Sequence, residues 1–186
     1  MRANVLVGFI AVLSTGAAAT APQTTADLLR IQAFERRVEA YVDLHRRLEG
    51  PLPTLEISDN LRDVEAAMDA LAKQIRKARK GARQGDLFTP DAAGPLRHRI
   101  AGCLGPEQMA AILAANDEDV PRRLPKLRVN DRWPQDVPYG FVPPQLLCAL
   151  PPLPPELQYR IIGRALVLWD HHADLIVDFI PEAFAR

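Results

Sequence analysis

Leu157-Gln-Tyr-Arg-Ile-Ile-Gly163-Arg-Ala-Leu-Val-Leu-Trp-Asp170-His-His-Ala-Asp174-Leu-Ile-Val-Asp-Phe-Ile180 is the stretch that decides the fold. Three runs rich in β-branched and aromatic residues, Leu157 to Ile162, Ala165 to Asp170 and Leu175 to Ile180, are punctuated by Gly163-Arg164 and by His172-Ala173-Asp174. That pattern reads as a three-stranded antiparallel meander. In the first strand Leu157, Tyr159 and Ile161 alternate with Gln158 and Arg160, so one face is expected to be wet. In the last strand the alternation places Asp178 on the face of Ile176 and Ile180, where a cross-strand pair with Arg160 is expected. A meander this small cannot bury its apolar face alone and needs helices as a lid.

The helices lie upstream. Asp27 to Leu48 carries one apolar stripe, Ile31, Phe34, Val38, Tyr41, His45 and Leu48, with Thr24 or Thr25 as cap. Ser58 or Asp59 can cap a second helix reaching about Lys80, with the stripe Leu61, Val64, Met68, Leu71, Ile75 and Ala78. Two matching stripes joined by a short Pro-rich link predict an antiparallel helical hairpin. Thr89-Pro90-Asp91 opens a third helix through Leu96, Ile100 and Leu104, and Gly105-Pro106-Glu107 a fourth, ending near Asn116. The expected class is α+β: a helical hairpin and two shorter helices packed on the C-terminal meander. In chain order this gives a helical region over 20–119, a Pro-rich connecting segment over 120–156 and the meander over 157–186, with helices and meander in one domain.

Composition narrows the partners. The 186-residue chain balances 23 basic against 23 acidic side chains, so general attraction to nucleic acid is not expected. Its 17 prolines, roughly twice the usual frequency, fall mainly in the second half. At the N-terminus, Met1-Arg2, the apolar run Val5 to Leu13 and the small residues Gly16 to Ala19 read as a signal peptide over 1–19, with Ala17 and Ala19 forming the A-x-A site. The expected address is therefore periplasmic or secreted, with no transmembrane span after cleavage. In such an oxidising compartment Cys103 and Cys148 either pair as a disulfide or are two separately buried small side chains.

Pro151-Pro152-Leu153-Pro154-Pro155-Glu156 leading into Tyr159-Arg160, the Gly163 turn and Ile176-Val177-Asp178-Phe179-Ile180, with Gly85-Asp86-Leu87-Phe88-Thr89-Pro90 in the middle, resembles a group of exported bacterial proteins with no assigned function. The C-terminal thirty or so residues also resemble, more faintly, periplasmic regulators of nickel and cobalt export. Neither resemblance brings a ligand set to this chain.

Two clusters carry candidate chemistry. His171, His172 and Asp174 have metal-ligand character for a divalent transition metal, although adjacent histidines on a strand point to opposite faces and only a tight turn joins them. A solvated polar turn explains the same residues. His45 and His98 are on separate helices, and nothing in the sequence brings them to that turn; His45, on an apolar stripe, reads as a buried, hydrogen-bonded histidine. Lys73, Arg76, Lys77, Arg79, Lys80 and Arg83 form a basic run with no intervening acid, suited to an unidentified protein or an anionic envelope component, or else a solvated helix end. Trp133-Pro134 and Tyr139-Gly140-Phe141 are an aromatic patch for sugar or peptide, or a plug at the join of helices and sheet. No Gly-x-Ser-x-Gly, His-Glu-x-x-His or phosphate-cradling loop is present, and Asp117-Glu118-Asp119 alone does not make a hydrolase. The leading expectation is a non-catalytic interaction or envelope-maintenance protein without a cofactor. The alternatives are a periplasmic metal-binding or metal-homeostasis protein and an envelope hydrolase.

Overall fold

A computed structural model of the chain describes residues 24–52, 61–117, 124–140 and 142–184. The signal-peptide reading, the caps Ser58 and Asp59, Glu118, Asp119 and Phe141 lie outside them. Helix α1 spans Thr25–Glu49; the Thr24 side chain accepts a hydrogen bond from Asp27 N at its start, satisfying one free helix-end donor. Helix α2, Leu61–Ala78, packs beside α1 as a hairpin, and α3, Pro90–Cys103, also packs on α1. Pro95 is absorbed inside α3, while Pro90 sits at its start, where no backbone donor is needed. Helix α4, Pro106–Asp117, and the single turn α5, Pro144–Leu147, complete the helical part. Among the described residues no helix is long and apolar enough to cross a membrane.

Strands β1 (Leu157–Ile162), β2 (Ala165–Asp170) and β3 (Leu175–Ile180) pair antiparallel in the order β1-β2-β3. The class is α+β. Gly163 turns the first hairpin at φ 54, a conformation that costs glycine nothing. The Pro-rich lead is tied down by Leu157 N donating to the Pro154 carbonyl and the Tyr159 hydroxyl to that of Pro151, both at 3.0 Å. One apolar cluster joins Phe34, Val38, Leu71, Ile75, Leu96 and Ile100 of the helices to Leu166, Leu168, Leu175 and Ile180 of the sheet. The Phe34 and Phe88 rings stack within it, 4.8 Å apart.

The second face of the sheet is only partly wet: Gln158 and Arg160 of β1 are half-buried there, while all of β2 is buried. Residues 130–140 cross it as a strap, held at the β3 edge by Asn130 N to Ile176 O (2.8 Å) and Ile176 N to Asp131 O (2.9 Å). At the β1 edge Ile161 N donates to the Gly140 carbonyl at 3.3 Å. A Cβ on Gly140 would lie 2.1 Å from the Ile161 carbonyl oxygen, so only glycine lets the strap approach. Beneath the strap Trp133 and Val137 bury Ile162, Ala165, Val167, Trp169 and Ile176 in a second cluster, and every residue of β2 is buried. The tryptophan therefore covers the far face rather than plugging the join of helices and sheet, because the strap runs from edge to edge. The indole of Trp133 stacks on Tyr139, centroids 5.2 Å apart.

The expected Arg160–Asp178 pair does not form. Strand β2 lies between the two, and the guanidinium of Arg160 sits over the Tyr139 and Trp169 rings. The alternation that placed Asp178 with Ile176 also fails. Leu168 faces Asp178 but Trp169 faces Ile176, so Val177 is an extra residue, a β-bulge that switches the facing beyond it. Ile176 belongs to the outer cluster, Val177 and Ile180 to the inner one. Asp178 instead accepts hydrogen bonds from Gly85 N, Leu87 N and Phe88 N, each 2.8 Å. The stretches 85–88 and 176–180 thus hold each other through this carboxylate. Asp178→Ala should leave three backbone donors without their acceptor and cost about 3 kcal/mol, read as a melting temperature lower by about 9 °C. A loss under about 1 °C would show that the carboxylate does not hold the loop.

Candidate metal centre

Tyr41, His45 and Glu49 are spaced by four residues on α1 and so share one face. That face meets the end of β2, where the Asp170 carboxylate is fully buried. Asp170 Oδ2 accepts the Tyr41 hydroxyl and His45 Nδ1, both at 2.6 Å. Its Oδ1 accepts the backbone N–H groups of His172 (3.1 Å) and Ala173 (3.0 Å), so one carboxylate ties α1 to the β2–β3 turn.

The Nδ1 bond fixes the ring and directs Nε2 of His45 to Glu49 Oε2, 3.2 Å away. Glu49 Oε1 in turn receives Nδ1 of His172 at 3.1 Å. A carboxylate only accepts, so facing one at each nitrogen favours the protonated form of His45. Burial opposes that charge, but the Asp170 hydrogen bond and the charges of Asp170, Glu49 and Glu156 outweigh it and raise the His45 pKa. Burial and then Asp170 keep the Tyr41 phenol well above its usual range, and the Arg79 guanidinium covers that ring at 4.9 Å. On the solvent side Arg46 bridges to Glu156 at 2.6 Å.

His45, Glu49 and His172 each offer a ligand atom, all within 4.8 Å of one another. Glu49 and His172 line a cleft of about 620 Å³ whose apolar side includes Leu52, Val64, Met68 and Leu71, while His45 is fully buried behind them. The turn does not gather His171, His172 and Asp174 onto one point. His171 Nε2 donates to the Pro155 carbonyl (2.7 Å), and Asp174, at φ 49, accepts the Trp169 indole N–H (3.1 Å). His98 is exposed on α3. The sequence reading missed His45 and Glu49 as partners of His172. The available signal was their four-residue spacing on a stripe, read beside Asp170-His171-His172.

The basic run divides. Arg76 donates to the Asn130 carbonyl (2.9 Å), and Arg79 to the Asn130 side chain and the Val177 carbonyl (both 3.1 Å). Lys73, Lys77, Lys80 and Arg83 remain exposed. Cys103 and Cys148 are both exposed, their sulfurs 3.6 Å apart. No known protein family, curated protein or solved structure matches this chain.

The cluster gives the metal-free chain a pH dependence of definite sign. His45 has a folded pKa above its ordinary 6.5, so the folded chain holds the proton more tightly than the unfolded one. That stabilisation is complete below about pH 6.5 and disappears as pH rises through the raised value. Melting curves of chelator-treated protein from about pH 6 to 9 should fall on the alkaline side, and His45→Gln should flatten the fall. Equal slopes for the two proteins would contradict the assignment.

Proposed function

We propose that this chain is an exported protein that binds one divalent transition-metal ion through His45, Glu49 and His172. The observation that carries the reading is the buried Asp170 carboxylate: it takes His45 Nδ1–H and leaves Nε2 facing Glu49, whose other oxygen meets His172. A carboxylate behind a ligating imidazole is the usual outer partner of a metal-bound histidine, setting its tautomer and basicity. Two imidazoles and a carboxylate suit zinc, nickel or copper. A bound ion would replace the proton on His45 Nε2, so uptake releases a proton. Three protein ligands leave a coordination position free on the cleft side. Export rests on the sequence of residues 1–19.

Titration calorimetry of the chelator-treated full chain with zinc, nickel, cobalt and copper should show stoichiometric binding to at least one ion. Glu49→Gln and His172→Ala should abolish it, His171→Ala and Asp174→Ala should spare it, and Asp170→Asn should weaken it about 10- to 100-fold. Binding that survives Glu49→Gln and His172→Ala unchanged would overturn the reading.

A second reading is an interaction or envelope-maintenance role at the end of α2. It is favoured by exposed Lys73 and Lys77 on α2 and exposed Lys80 in the turn just past its end, beside Arg76 and Arg79, which are fixed inward. Reversing the three lysines to glutamate should remove binding to anionic vesicles in a sedimentation assay without altering metal uptake. Equal sedimentation of the variant and the parent would eliminate this role for the lysines.

A further inference from the structure

The chain has two cysteines, and the fold brings them together from elements 45 residues apart. Cys103 closes α3 and Cys148 follows the single turn α5. Both elements face the core with other side chains, Leu96 and Ile100 from α3 and Leu146 from α5. The cysteines are therefore not needed as core filling, and both are exposed to solvent and to a reagent. Their sulfurs are nevertheless in contact at 3.6 Å, with Cys148 also donating to the Gln145 carbonyl at 2.9 Å.

We propose that Cys103 and Cys148 are a cross-linking site, joined in the exported protein as a disulfide that clamps α3 to α5. The sulfurs need approach only to about 2.05 Å, a closure of about 1.5 Å that rotation of two exposed side chains can supply. The chemistry requires an oxidant of the thiol–disulfide exchange class. One cysteine thiolate attacks the oxidant's disulfide and forms a mixed disulfide, displacing one oxidant thiolate. The second cysteine thiolate then attacks the chain's own sulfur in that bond and displaces the other. Two protein thiols become one S–S bond, and the oxidant's disulfide accepts the two electrons and two protons as two thiols.

The closed loop runs from 103 to 148 and contains α4 and the strap over the outer face of the sheet. Cross-linking its ends restricts the unfolded chain and so stabilises the folded one. None of His45, Glu49 and His172 lies in the loop, so the clamp and the metal site stand or fall separately.

The full chain is exported to an oxidising compartment in one preparation and retained in a reducing one, or oxidised there with glutathione disulfide, in another. The oxidised protein should take up no iodoacetamide until reduced, and its peptide map should show Cys103 linked to Cys148. Reduction should lower the melting temperature by about 10 °C. A double Cys103→Ser, Cys148→Ser variant should melt with the reduced protein and ignore glutathione disulfide. Two iodoacetamide adducts on the unreduced, glutathione-disulfide-treated protein, or cross-linking between copies instead of within one, would overturn the proposal.

Discussion

The Asp170 carboxylate is the constraint on which the rest of the arrangement depends. A buried carboxylate is tolerated only when its lone pairs are filled, and here four donors fill them, two from α1 and two from the turn after β2. Sliding α1 by one turn would strip both helix donors from it. The helix is thus locked in one register against the sheet by a polar contact inside an otherwise apolar interface. The same contact orients the candidate metal centre, since the ring of His45 is fixed once Nδ1 is committed. Stability and ligand geometry here are two readings of a single interaction.

The local elements were legible in the sequence because their signals are local. All three strands lie where the turn residues Gly163 and Ala173-Asp174 bound them, and the α1 stripe buries Ile31, Phe34, Val38, Tyr41 and His45 as its spacing predicts; the α2 stripe buries only Leu71 and Ile75 and leaves Leu61 and Ala78 exposed. What escaped depends on distance. The bulge at Val177 shifts the facing of Asp178 with no composition mark of its own. The strap was visible as a proline-rich segment with an aromatic patch, but not as a cover for the sheet, since that role comes from Trp133 and Val137 meeting strands more than twenty residues away. His45 was read as a buried histidine, as it is, but apart from Glu49 its neighbours come from β2 and the following turn.

The basic run shows how chemistry sorts residues of one charge. The planar guanidinium groups of Arg76 and Arg79 turn inward, where several fixed donors can meet the backbone carbonyls of the strap and β3 and, for Arg79, the face of Tyr41. The lysines, more strongly hydrated and without a planar fork, stay in solvent. A count of charges therefore overstates the free positive surface, and the two arginines belong to the architecture of the sheet.

The strap also has a meaning for the sheet's neighbours. A three-stranded sheet normally offers two rows of unpaired backbone groups to which another chain can add a strand. Here Asn130 and Asp131 occupy part of one row and Gly140 part of the other, and both grips belong to the same short segment. Loosening that segment at either end would uncover backbone donors and acceptors to which another strand could pair, so the strap also shortens the open edges of the sheet.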